Sequence, residues 1–485
     1  MKSKIIKIIL IGIIATPLFY SCDSDFEQIN SNQVSPTVVP EGQLLLNAQR
    51  NLANTMYTML FYGEMGAVWG QHWSKNAFNS EELYNVRLSS RNNIWANLYV
   101  STINATIEME RLALDNDNTN LIGVAKVVQA YTYLLLTDTY GGIPMSEAGQ
   151  GLDGNFTPAY DSQEDVYSQS IALLDEAMDL LANEIGDIDD AQDVIYAGDI
   201  NKWRKFAASL KFRALMRISG RINVAAQLQE VVNSGLLFSS VDDEAKFSYL
   251  EEGAVNVNPI FNTIVTGNRI EYILNESLVN YMDGTNGITD ERLVVYGQLN
   301  NEGVYKGKPA GYLNIPDEFT GDNVSQLGTR FLDAQLPAYF LSYTELQFLL
   351  AEATKKGFIS GGDAQAETYY RQGIRSSFLE NGLTEADFNT YISQSTVAYN
   401  STNAVDQIAL QNWIGLFGQG FETWTEWRRT KVPNLPLAID AVTTEIPSRI
   451  PYPGSEQNVN SANYQNGVQG IEGGDVSTGK FWWLQ

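Results

Sequence analysis

Asn201-Lys202-Trp203-Arg204-Lys205-Phe206-Ala207-Ala208-Ser209-Leu210-Lys211-Phe212-Arg213-Ala214-Leu215-Met216-Arg217-Ile218 is the stretch that decides the fold class. Its apolar residues fall at Trp203, Phe206, Ala207, Leu210, Ala214, Leu215 and Ile218. Spacings of three and four place them in one stripe along an α-helix, with Lys202, Lys205, Ser209 and Arg213 on the opposite face. The same pattern runs through Leu44 to Tyr62, Ile94 to Leu112, Leu121 to Leu136, Val166 to Leu181 and Val224 to Leu236. It resumes from Tyr339 to Lys356, where Gly357 suits the left-handed residue after a helix end. Gly361-Gly362-Asp363 then leads into a partner helix of about 364–380.

Turn chemistry separates these helices. Gly141-Gly142-Ile143-Pro144 closes one, and Asp161 or Ser162 is placed to cap the next after Thr157-Pro158-Ala159-Tyr160. Helix pairs of this size resemble tetratricopeptide units, which bury their apolar faces by stacking, although no residue identity recurs at a fixed period. In residues 238–334, Gly, Asn and Tyr rise and the helical period fades. Phe247-Ser248-Tyr249-Leu250 there reads as strand-like. The expectation is a mainly α protein: a tetratricopeptide-like helix-pair scaffold over 41–237 and 335–382, and a loop-rich, ligand-binding insert with short strands at 238–334. Residues 383–485 read as mostly irregular, with one helix near Ala404 to Arg429, within the same globular unit. Long irregular stretches are often binding surface.

The first 22 residues read as an export leader. Lys2, Lys4 and Lys7 precede an apolar run from Ile8 to Tyr20, too short to span a bilayer but of the right length for a secretory signal. Cys22 is the one cysteine in the chain, so an intramolecular disulfide is impossible. Ser21-Cys22 resembles the lipobox of bacterial lipoproteins, in which the cysteine is acylated, although Phe19 stands where an aliphatic residue is usual. Residues 23–40, with Asn30, Ser31, Asn32, Ser35, Pro36 and Pro40, read as a flexible tether. Asp23-Ser24-Asp25-Phe26-Glu27 resembles the signal that sends Bacteroidetes lipoproteins to the outer face of the outer membrane.

Composition narrows the partners. The net charge of −26 becomes −29 once the three leader lysines are removed, which repels nucleic acid and anionic headgroups. A hydrophobic fraction of 44% indicates a substantial core. Catalysis is poorly provided for. His72 is the only histidine, so a triad or a zinc site has one imidazole to draw on. Glu422 and Glu426, four apart on a helix, form the one singled-out carboxylate pair for a glycoside hydrolase, the alternative reading of the chain. Gly303 to Lys308 is one residue short of a phosphate loop, and Asp283-Gly284-Thr285-Asn286-Gly287 misses the calcium-loop pattern. No cofactor or metal is expected.

A sugar is held by an aromatic platform against its C–H face and by polar side chains at its hydroxyls. The densest such cluster is Trp69-Gly70-Gln71-His72-Trp73-Ser74-Lys75-Asn76, whose candidate contacts are Trp69, Gln71, His72, Trp73 and Asn76. Gly63, Gly66 and Gly70 weigh against a helix there. The competing reading makes Trp69 and Trp73 core residues. Tyr305, Tyr312 and Asn314 in the insert are further candidates. Trp424 and Trp427 read as core, and Trp482 and Trp483 are undecided.

A wider resemblance rests on an ordered set of motifs. Leu136-Thr137-Asp138-Thr139-Tyr140-Gly141-Gly142-Ile143-Pro144 is followed by Pro158 to Tyr167, Tyr196-Ala197-Gly198-Asp199 and Lys202 to Arg213. Thr289-Asp290-Glu291-Arg292, Ser342 to Ala353, Trp424 to Thr430, Ile446 to Ile450 and Tyr452-Pro453 complete the set. Together with the lipobox it resembles the SusD/RagB family of nutrient-binding outer-membrane lipoproteins, in its SusD-like branch. Glu291 departs from the proline usual there. The resemblance implies a binding protein rather than an enzyme. It also implies a SusC-like TonB-dependent transporter as partner, over which the protein sits as a lid, and an oligosaccharide or peptide as cargo.

Overall fold

The computed structural model describes residues 39–485; the leader, Cys22 and most of the expected tether lie outside them. In chain order the described α-helices of eight or more residues begin with α1 (Glu41–Tyr57), α2 (Leu88–Ala96), α3 (Asn104–Asp115) and α4 (Thr119–Tyr140). Then come α5 (Gln163–Ala182), α6 (Ile200–Ile218) and α7 (Ala225–Asn233). After the insert stand α8 (Tyr343–Lys355), α9 (Gly362–Glu380), α10 (Glu385–Ile392), α11 (Ala404–Gly415), α12 (Gly420–Thr430) and α13 (Ser461–Gln469). Their starts carry the expected capping chemistry. Asn118, Ser162, Asp199 and Ser342 each accept from a backbone N–H in the first turn, so it is Ser162 that caps α5. Gly357 has φ +73°, as its place after α8 requires.

α4 is the axis of the scaffold. Every residue from Asn120 to Tyr140 is buried, because α3, α5 and α6 pack around it. α6 differs from the simple amphipathic reading: Ser209, Arg213 and Arg217 are buried along with its apolar stripe. Inside, Arg213 donates to the Phe340 carbonyl at 2.9 Å and Arg217 to Asp138 at 2.6 Å. The main core is continuous from Leu45 near one end to Trp483 near the other.

The insert is held by two small antiparallel sheets. β1 (Trp73–Lys75) pairs with β3 (Tyr272–Leu274), and β2 (Ala245–Phe247) pairs with β4 (Ala338–Leu341). Three expectations need correcting. The stripe from Tyr339 begins as strand β4 and becomes helical only at Tyr343. The single helix expected near 404–429 is two, α11 and α12, broken where Gly418 takes φ +92°. Residues 383–485 hold four helices of eight residues or more rather than one. Three segments are wider than α: Met59–Ala67, Asn97–Ile103, which joins α2 to α3, and Asn262–Thr266 in the insert. No described helix is long and apolar enough to cross a membrane.

Candidate functional site

The expected platform at 69–76 is not presented to a ligand. Trp69 and Trp73 are both 0% exposed. Trp69 meets Trp424 edge-on at 5.0 Å and donates to the Glu81 carbonyl at 2.9 Å; Trp73 meets Tyr62 edge-on at 5.1 Å. Gln71 bridges inward, donating to the Pro436 carbonyl at 2.6 Å and accepting from Ser277 at 2.6 Å. His72 lies against Trp413 and Phe417 at 4.7 and 5.4 Å, and burial lowers its pKa to about 3. It is therefore neutral over the ordinary pH range and unsuited to proton transfer there. Asn76 is half-buried, its N–H bonded to the Glu271 carbonyl at 2.9 Å. The glycines, read as signs of a loop, instead permit close packing. A Cβ on Gly70 would lie 2.8 Å from Thr423 Cγ2, and one on Gly66 would reach the backbone of Gly420 at 2.4 Å.

The structure does bring the insert to this segment, as packing. Besides the β1–β3 ladder, buried Lys308 donates to Glu82 at 2.8 Å and to Ser74 at 3.1 Å. That occupation removes Lys308 from any phosphate-loop role. Tyr305 and Tyr312 are half-buried, Tyr312 stacking on Phe319 at 5.6 Å, and Asn314 is exposed. A cleft of about 300 Å³ nearby is lined by Thr58, Glu64, Arg87, Asn262, Arg269 and Tyr272 among others. Its charges are spent internally: Glu64 holds Lys75, Arg87 and the Tyr272 hydroxyl, each at 3.0 Å.

The carboxylate pair is likewise committed. Glu422 is bound by Arg217, and Glu426 by Arg429 at 2.7 Å and Arg217 at 3.3 Å. Both are buried, so neither faces a substrate. Trp424 and Trp427 are core as expected, donating to the carbonyls of Pro447 and Pro433. Trp483 is buried on Asp138 at 2.9 Å, while half-buried Trp482 lies under Arg221. Asp283 to Gly287 forms a turn closed by the Asp283–Thr289 bridge, and among the described residues no cluster of ligating side chains is placed to hold a metal.

A larger cleft lies elsewhere, between the α2–α3 junction and the loop from Pro144 to Asp161, with about 750 Å³ of space. Its lining includes Trp95, Tyr99, Val100, Asn104, Ile107, Glu108, Pro144, Leu152, Phe156, Pro158 and Glu456. Volume and apolar character both suit a bound oligomer of a few rings. Trp95 forms the floor, packed by Tyr99 at 4.8 Å, Tyr140 at 5.1 Å and Tyr160 at 6.2 Å. The widened turn at Asn97–Ile103 carries Tyr99 and Val100 to the rim, and Tyr99 donates to the Pro144 carbonyl at 2.6 Å.

The loop that forms the other wall is pinned at its base. Ile143 and Asp161 pair antiparallel, and Asp161 Oδ2 accepts from the N–H groups of Met145 and Ser146, both at 2.8 Å. Glu147 accepts from the Ala159 N–H at 2.8 Å and the Asn155 amide at 3.0 Å, and these bonds hold its carboxyl below its usual pKa. So anchored, the loop leaves Leu152 99% and Phe156 74% exposed, beside Val100 at 65%. Three large apolar side chains held open around one cleft form the kind of patch that marks a binding site. The motifs Leu136 to Pro144 and Pro158 to Tyr167 flank this loop and leave its interior unmarked. The available signal was Leu152 and Phe156 themselves, two large apolar residues in an otherwise small and polar run from Ser146 to Thr157.

Residues 31–453 match the model of a SusD-like family described as starch-binding and associating with the outer membrane. Among solved structures, a chitin-binding protein is 26% identical, over 92% of this chain and 99% of its own, with a TM-score of 0.79. A SusD homolog from Bacteroides fragilis is 25% identical over 92% of this chain and 100% of its own, with a TM-score of 0.77. A chitin-binding SusD homolog from Flavobacterium johnsoniae is 23% identical over 92% and 98%, also with a TM-score of 0.77. No curated protein matches the sequence. The family match spans most of the chain, and the helical scaffold superposes on SusD structures over nine-tenths of its length: the chain belongs to the SusD-like family.

Proposed function

We propose that this protein is a cell-surface lipoprotein, attached to the outer membrane through Cys22, that captures an oligosaccharide and passes it to a SusC-like TonB-dependent transporter over which it acts as a lid. The observation that carries the reading is the cleft beside Trp95, with Phe156 and Leu152 held exposed on its pinned loop. Aromatic and aliphatic faces there suit the C–H face of a pyranose, and Asn104 and Glu456 supply polar contacts at its edge. The family description, starch-binding and associating with the outer membrane, supports both the cargo class and the location. The two chitin-binding neighbours support the cargo class again. The hydrolase alternative loses its carboxylate pair to the arginines of α6 and α12.

A glycan array probed with the wild type and with Phe156→Ala tests the site. Phe156 is too exposed for its loss to disturb the fold, so removing a stacking face should weaken binding about ten-fold at an unchanged melting temperature. Equal binding by the two proteins would remove the cleft from the account. Release of reducing ends from any bound glycan would favour the hydrolase. Co-purification with a large β-barrel from detergent tests the lid role separately.

A further inference from the structure

We propose that the cleft discriminates by charge, taking uncharged or amino-bearing sugars and refusing anionic ones, with Glu456 as the discriminating residue. The inference rests on the cleft being the glycan site. Two carboxylates line it, Glu108 and Glu456, and no lysine or arginine does. Glu108 is neutralised: its two oxygens hold Arg111 at 2.6 and 2.9 Å. Glu456 is not. Its Oε2 accepts from the Tyr160 hydroxyl at 3.0 Å and the Asn460 amide at 3.3 Å. Among the described residues its Oε1 has no partner, and no lysine or arginine pairs with the carboxylate.

The carboxylate is thus fixed in orientation by two neutral donors, with no basic side chain beside it and one acceptor oxygen free. Both donors are secure. Asn460 also donates to the Pro158 carbonyl at 2.9 Å, and burial, together with the neighbouring Glu456 charge, raises the Tyr160 pKa so that its hydroxyl stays protonated. A sugar hydroxyl or amide can donate to Oε1. A protonated amine completes an ion pair there, and a sulfate or uronate meets an uncompensated like charge in a chain of net charge −26.

The test uses one β-linked glucosamine hexamer in three forms, N-acetylated, free-amine and N-sulfated, titrated calorimetrically into the protein. The titration is run at about pH 6, where the free amine of the sugar is protonated. Wild type is expected to bind the free-amine form tightest and the N-acetylated form next, with no measurable binding of the N-sulfated form. Only the free-amine affinity should fall as salt rises from about 50 mM to 500 mM. Glu456→Gln keeps the size of the side chain and the contacts to Tyr160 and Asn460. It should weaken free-amine binding about five-fold, the upper range for a partly exposed pair, and leave the N-acetylated form within about two-fold. N-sulfated binding as tight as N-acetylated binding, or a free-amine affinity unmoved by both salt and Glu456→Gln, overturns the inference while leaving the cleft as a glycan site. Failure of all three forms to bind overturns the cleft reading and this inference with it.

Discussion

Replacing Gly66 with alanine would drive a methyl into backbone rather than into a movable side chain. A Cβ there would sit 2.4 Å from Gly420 C, 2.6 Å from Phe421 N and 2.7 Å from Gly420 O. Gly420 closes the same seam from the other side, since its own Cβ would lie 2.3 Å from Tyr62 O and 2.8 Å from Ala67 N. The widened turn Met59–Ala67 and α12 would have to separate by about 1 Å in a region packed to interior density. Overpacking costs about 1 to 3 kcal/mol, and with backbone on both sides the upper end applies. Alanine returns about 1 kcal/mol in backbone entropy, leaving a net loss of about 2 kcal/mol. Unfolding entropy of about 2.1 cal/mol/K per residue gives roughly 0.9 kcal/mol/K for a unit spanning Glu41–Gln485, so the melting temperature should fall about 2 °C. Differential scanning calorimetry resolves that shift, with Gly220→Ala as control, because a Cβ at Gly220 meets nothing within 4 Å. Gly420→Ala should behave like Gly66→Ala, and the double variant should lose less than the sum because the two share one seam. A melting temperature for Gly66→Ala at or above that of the wild type would refute the close approach, and with it the reason Trp69 is buried.

Lys308→Met should cost about 3 to 5 kcal/mol, read as a lower urea midpoint, because it strands the fully buried Glu82 carboxylate; an unchanged midpoint would mean that the pair does not staple the insert. His72, as the only histidine, gives a single imidazole signal by NMR, which should stay flat from about pH 8 to 5. Its folded pKa of about 3 lies below the ordinary 6.5, so the unfolded state binds the proton first and stability drains as pH falls from 6.5 toward 3. The loss approaches about 1.4 kcal/mol per pH unit, and His72→Phe should remove that part of the acid sensitivity; a signal titrating near its ordinary value would contradict the burial. Asp161→Asn weakens the charge-assisted bonds to Met145 and Ser146, so amide exchange over 145–160 should quicken and ligand affinity fall while the melting temperature moves by less than about 1 °C. Unchanged exchange would show that the loop is held by other contacts.

Helix period carried most of the fold. The stripe from Trp203 to Ile218 places α6, and the block from Leu136 to Pro144 places the end of α4, because burial of one face imposes its spacing on the sequence. Where residues are buried all round, the stripe says less. The burial of Arg213 and Arg217 depends on partners such as Asp138 and Glu422, distant in sequence. Tyr339 to Leu341 prolonged the apolar pattern of α8, yet pairing with β2 makes them a strand. At the site the errors have one physical root. Glycine permits a loop, and it equally permits two backbones to touch, so Gly63, Gly66 and Gly70 do not by themselves distinguish an open aromatic platform from a sealed seam. Phe156 and Leu152 went unread for the opposite reason: an exposed apolar residue in a pinned loop has no period, and the bonds from Asp161 and Glu147 that hold the loop open leave no local pattern. Of the two residues placed to cap α5, Ser162 does so, and Asp161 instead ties the base of the loop through Met145 and Ser146.

Hydrogen–deuterium exchange with and without a saturating oligosaccharide tests the central claim most directly, because it locates the ligand without a substitution. The account predicts slowed exchange in peptides covering Asn97 to Glu108, Ala148 to Tyr160 and Gly454 to Asn460, and none at Trp69 to Asn76. Protection confined to the insert around Tyr305 to Asn314, or to the cleft between Glu64 and Tyr272, with the 148–160 loop unchanged, would contradict it.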